Sequence, residues 1–263
     1  MIRQPLSLSP TEVRVLTRCS LHYHFLTQGS SPQTESAQAT VDKAVRETIQ
    51  VLHAAGGPGR QSLAQCLARV VAYPEAQLML ENYYRSLEQD WSQIIASNEA
   101  MTLKIHLAGV SLALNATIDR LDKTSDGGIL AILLRTDSDP LPGLEAFRDD
   151  PAVTIYHALV ASSYPLQRPV RIQALWLLHD TALTVELSED EYRQNLGLLR
   201  EPVQTLARGE VMARPGLHCD ICPFKYRGCP VYARDDGPDS ETDDFVPPAS
   251  GGNISERKWI FKI

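Results

Sequence analysis

VSLALNATIDRLDKTSDGGILAILLRT, residues 110–136, is the stretch whose reading decides the fold. Its first half alternates apolar and polar side chains as far as IDRLD, SDGG supplies a turn, and ILAILLR is apolar without alternation. Alternation predicts a strand buried on one face, and an unbroken apolar run predicts a strand covered on both. With MTLKIHLAG before it, from Met101, the stretch reads as a three-stranded meander whose third strand is central.

Upstream the pattern is helical. SPTE predicts a helix start, with Ser9 as N-cap, Pro10 at the first helical position and Glu12 closing a capping box, and this helix carries Val13, Leu16 and Cys19. A Gly/Ser/Pro/Gln stretch from Gln28 to Thr34 breaks it. Val41, Val45, Ile49 and Leu52 then fall at helical spacing between about Glu35 and Ala54. GGPG at 56–59 is a loop, and further helices are expected over Ser62–Ala72 and from Pro74 to about Ser97. Downstream of the meander the sequence predicts a helix over Ala152–Ser162 and a hairpin from VRIQALWLLHD and ALTVELS. Ser188 with Glu191 then caps a helix running to about Gly209. The fold class is therefore α/β, a mixed central sheet flanked by helices, with an N-terminal helical region and a C-terminal cysteine segment.

Composition bounds the rest. At 263 residues and 43% hydrophobic content the chain can bury a large core. Residues 1–234 read as one domain and 235–263 as an acidic, flexible tail that ends in the apolar and basic ERKWIFKI. That end is suited to pairing with a sheet edge, to docking on a partner or to packing on its own domain. The formal net charge is −7, which excludes a protein coated in positive potential and leaves room for a local basic groove on the body. No run of eighteen apolar residues is present, so no membrane span is expected. MIRQPLSLSP lacks the apolar core of a signal peptide, which makes a reducing cytoplasm the expected setting and disfavours disulfides.

Chemistry concentrates in the cysteines. Cys219, Cys222 and Cys229 lie together in CDICPFKYRGC, and Cys19 stands about 200 residues upstream in RCSLHYHF. Thiolates at C-x2-C spacing face one point, which suits zinc or an iron–sulfur cluster, and a C-x2-C-x6-C-P run with a remote partner is asymmetric in a way most zinc ribbons are not. A zinc site from the same trio with His218 or Cys19 is the other reading of this spacing. Cys66, among apolar neighbours, reads as a buried free thiol. Phe224, Lys225, Tyr226 and Arg227 offer either stacking and phosphate contacts to DNA or a shield against water.

In order, LSPTEVRVLTRC, the IDRLD strand end, the turn with its apolar strand, the helix carrying Tyr156, and PGLHCDICPFKYRGCP resemble the RecB-like branch of the PD-(D/E)XK nuclease superfamily. The likeness, over about Leu8 to Pro230, is to its iron–sulfur members, such as the AddB nuclease domain and the CRISPR-adaptation exonucleases. It implies a restriction-endonuclease-like core, DNA as partner, and a 4Fe–4S cluster held by Cys19, Cys219, Cys222 and Cys229. It also implies Mg²⁺ or Mn²⁺ at a hydrolytic centre where that centre is intact. The family's first metal-binding aspartate maps onto Asp119, and its D-x-K pair onto Leu133 and Arg135; its helical histidine maps near Asp42, and the glutamine before its tyrosine onto Ala152. Leucine cannot ligate a hard cation and arginine cannot act as a base.

The resemblance thus implies a nuclease-fold protein of DNA repair, recombination or CRISPR type with Asp119 and Arg135 as remnants of a lost centre, binding DNA or supporting a helicase or nuclease partner. Arg120, Arg135, Lys225 and Arg227 are the expected nucleic-acid contacts. An active exonuclease or endonuclease would use Asp119 with a relocated acid such as Glu99, Asp137 or Asp139. A zinc-stabilised protein-interaction module is the third reading.

Overall fold

The computed structural model describes residues 6–29, 37–58, 60–90, 93–232 and 259–262. The meander forms as expected. Strand β3 (Val110–Lys123) is flanked along its length by antiparallel β2 (Ile94–Leu107). Its other edge is shared: β1 (Leu6–Leu8) runs parallel to Leu112–Leu114, and β4 (Ile129–Arg135) runs antiparallel to Arg120–Lys123. β5 (Val170–Trp176) continues the sheet parallel to β4, and β6 (Thr181–Glu186) closes it antiparallel.

β4 is central for the reason its composition gives. Ile129, Ala131 and Leu133 enter the core on one face, against α1 (Pro10–Arg18) and α7 (Pro151–Ser163). Ile132 and Leu134 enter the other, against α3 (Ala37–Ala54), α4 (Leu63–Ala68) and α5 (Pro74–Asp90). The fold is a mixed α/β sheet with helices on both faces, and α6 (Leu144–Arg148) lies beside it.

The Ser9–Glu12 capping box is present with both of its hydrogen bonds. Other boundaries move. α5 stops at Asp90 rather than near Ser97, because Ile94–Leu107 pairs with β3 and cross-strand pairing outweighs local helix propensity. The helix expected to reach Gly209 is two, α8 (Glu189–Gly197) and α9 (Arg200–Ala207). Gly197 closes the first, and Pro202 is tolerated only because it lies in the first turn of the second. Two short strands were not anticipated: β1, and β7 (Glu210–Ala213), which pairs antiparallel with β8 (Trp259–Lys262). The apolar and basic end thus adds a strand within its own chain. The acidic stretch before it, and the Gly/Ser/Pro/Gln loop after Gly29, lie outside the described residues.

Candidate functional site

Asp119 sits on β3 where the register Arg120↔Ile132 carries it to the level of Leu133 on β4. One carboxylate oxygen accepts the Leu134 N–H at 2.8 Å. The other accepts from the guanidinium of Arg46, on α3. The same guanidinium donates from Nε to Asp42 at 2.8 Å and from Nη2 to the Leu134 carbonyl at 2.8 Å. Thr136 Oγ1 donates to Asp42 at 2.5 Å, and Gln38 donates to the Thr136 carbonyl at 2.6 Å. Burial pushes the Asp119 carboxyl above its ordinary range, opposed by Arg46 and the Leu134 N–H. Leu133, where the resemblance calls for a second acid, is 3% exposed in the core. An apolar side chain there adds packing and no ligand.

Arg135 ends β4 and lines two cavities. The smaller, about 360 Å³, also touches Asp42, Arg46 and Asp137. The larger is a cleft of about 820 Å³ that runs past Arg14, Arg18, Asp139 and Arg214. Arg14 is paired with Asp150 and Arg214 with Glu201, so among the described residues Arg18 and Arg135 are the cleft's cations without an ion pair. Asp137 and Asp139 line this cleft, whereas Glu99 sits on β2 opposite Ile118.

Arg120 requires a correction. Expected to reach nucleic acid, it is 5% exposed and grips Asp122 with Nε at 2.8 and 3.0 Å and with Nη2 as well. Tyr83, fully buried, bonds the same guanidinium and meets His53 at 2.7 Å. Arg120 and Asp122 of IDRLD are therefore a buried pair within β3. Lys225 is bound to Asp220 at 2.8 Å and lies over the rings of Tyr226 and Tyr232, while Arg227 is exposed.

The four cysteines line one pocket, with His22, Phe25, His218, Phe224, Val231 and Tyr232 among its other walls. Contacts independent of any metal bring the early thiol there. Ser20 Oγ accepts the Met212 N–H at 2.6 Å, and Arg214 donates to the Thr17 carbonyl at 3.0 Å, so residues 17–20 are tied to β7 and to the residue that follows it. Cys19 falls between α1 and α2 (Ser20–Thr27), capping both. Cys219 lies in a 3-10 turn, Leu217–Ile221, and Cys222 caps it.

Burial raises the Cys222 and Cys229 thiols, and the neighbouring thiols raise them further. Backbone N–H groups of Phe224 and Lys225 at Cys222, and of Val231 and Tyr232 at Cys229, favour their thiolates. His218 is bonded to the Arg214 backbone, and its Nε2 is buried with no partner among the described residues.

This donor chemistry fits a thiolate-held group: sulfurs supplied with N–H donors, and an orphaned imidazole nitrogen, are what such a group would satisfy. Among the described residues no three His, Cys, Asp or Glu side chains form a ready single-ion site. The enclosed space is about 20 Å³, so a group larger than one ion needs the turns over 222–229 to move outward.

The chain matches a family model of the PD-(D/E)XK nuclease superfamily over residues 7–230. No curated protein matches it. Among solved structures, one described as "Putative exonuclease" from Eubacterium rectale is 11% identical, with a TM-score of 0.49, over 77% of this chain and 80% of that one. The protein SSO0001 is 13% identical, with a TM-score of 0.45, over 89% of this chain and 90% of that one.

Sequence reasoning named Asp119, Arg135 and the four cysteines but missed Arg46. The Asp42–Arg46 pair at i,i+4 was the signal available, and nothing local tied it to Asp119, 73 residues on.

Proposed function

The chain belongs to the PD-(D/E)XK nuclease superfamily, and from that premise we propose that it is an iron–sulfur member of DNA processing whose hydrolytic centre is lost. On this reading it acts as a DNA-binding or scaffold subunit beside a helicase or nuclease. The observation that carries the reading is Leu133, buried at the level of Asp119 where a second metal-binding acid is required. With leucine at 133, β4 supplies no carboxylate beside Asp119 for the coordination of Mg²⁺ that hydrolysis needs. Arg135, without an ion pair among the described residues, supports contact with phosphate.

Cys19, Cys219, Cys222 and Cys229 would hold the cluster, which here serves to clasp the first helices to the last segment. A single zinc ion is the second reading, favoured by the His218 Nε2 that has no partner among the described residues. Iron, sulfide and zinc assays on anaerobically prepared protein separate the two. For the activity, labelled single- and double-stranded DNA incubated with the full chain and Mn²⁺ stays intact. Cleavage that Asp119→Ala abolishes would overturn the proposal.

A further inference from the structure

One guanidinium organises the Asp119 centre. Arg46 directs Nε to Asp42, Nη1 to Asp119 and Nη2 to the Leu134 carbonyl, three oxygens from three separate elements of the fold. Asp42 is held by Thr136 and Asp119 by the Leu134 N–H, while the Leu134 carbonyl lies past the last β3–β4 pair, Arg120↔Ile132, and accepts from Arg46. Two carboxylates and a carbonyl are the kind of oxygen set a hard divalent cation takes. Here a cation is already among them, covalently attached and unable to lose its charge by deprotonation.

We propose that Arg46 is a built-in cation, an autoinhibitory contact whose guanidinium fills the space between Asp42, Asp119 and the Leu134 carbonyl and closes the centre to divalent metal. The inference deepens the proposed function, since it names the side chain that keeps the centre silent. A metal ion stands about 2.0–2.6 Å from its oxygens, closer than the reach from the guanidinium carbon through nitrogen and hydrogen bond. An ion replacing Arg46 must therefore draw the three oxygens inward as well as displace three charge-assisted bonds.

The test is Mn²⁺ binding to the full chain, read by the spectroscopic signal of free Mn²⁺ and by thermal shift. The unaltered protein shows no Mn²⁺ binding that Asp119→Asn removes. Arg46→Met, which keeps an apolar stem and deletes the charge, leaves two carboxylates without a counter-ion and binds Mn²⁺ at least about tenfold more tightly. Asp119→Asn in that background abolishes the gain. Arg46→Lys, a point charge that cannot span three oxygens, falls between the two.

The proposal is overturned if the unaltered chain binds Mn²⁺ through Asp119, or if folded Arg46→Met binds no more than it. Should Arg46→Met fail to fold, the unaltered protein and Arg46→Lys decide. DNA cleavage by unaltered protein that takes no Mn²⁺ at Asp119 would sink the loss of activity and leave the arginine contact standing.

Discussion

The Asp119 centre and the cysteine pocket are opposite solutions to burying polar atoms. At the first, the acids are met from within the chain, by Arg46, by the Leu134 N–H and by Thr136. At the second, four thiols face a common space and the His218 Nε2 has no partner among the described residues. A buried polar group is costly until something satisfies it, so a satisfied constellation needs no ligand and an unsatisfied one does. The difference sets the two sites apart: the first is a closed structural knot, and the second is where the proposed thiolate-held group would sit.

The largest expected effect breaks the open half. On the proposed reading, Cys19→Ala removes the donor that joins α1 and α2 to the C-terminal segment, and with it a closure of about 200 residues of chain. Metal content should fall to background and stability by about 5 kcal/mol, the chain-entropy value of a closed loop of that length, as read by elemental analysis and urea unfolding. Full metal content in a folded Cys19→Ala protein would place the fourth donor elsewhere, with His218 next in line.

The closed half has its own weak point. Arg120 and Asp122 have side chains only 6% and 7% exposed, and each is the other's counter-charge. Arg120→Ala leaves a buried carboxylate uncompensated and should cost about 3–5 kcal/mol in urea unfolding without changing metal content. A change in metal content with no loss of stability would mean that the two regions are coupled through β3 in a way the satisfied network does not explain.

What the sequence disclosed divides along the same line. Features written in neighbouring residues were legible: the Ser9–Glu12 cap, the meander, and the double-sided burial of β4 from an unbroken apolar run. So was the cysteine spacing, because C-x2-C is a local signature. Features made by long-range pairing were not. β1 is three residues that become a strand only by lying along Leu112–Leu114, and β2 begins at Ile94 because β3 extends to meet it. Arg120 was expected to face nucleic acid because IDRLD, although it contains Asp122, cannot say that Tyr83 of α5 bonds the same guanidinium. Arg46 was invisible for the same reason: its meaning lies in Asp119 and Leu134, on two other elements.

The smallest effect sharpens the closed half through pH. His53 meets Tyr83 at 2.7 Å behind Arg120, and burial, reinforced by that guanidinium, pushes its pKa down to about 4 from the ordinary 6.5. In the unfolded chain the imidazole takes its proton as pH falls through 6.5; in the folded chain it stays neutral until about 4. The unfolded state therefore binds the extra proton throughout that window, so stability is lost as pH falls from 6.5 toward 4 and the loss levels off below. Allowing for the ring's partial exposure, the drop attributable to His53 is ~2 kcal/mol. His53→Gln retains a hydrogen-bonding group for Tyr83 and has no proton to gain. Its urea midpoint should accordingly fall less between pH 7 and pH 4.5 than that of the unaltered protein. Equal falls in the two proteins would mean that the ring charges within the fold, and that the network around Arg120 is open to solvent rather than closed.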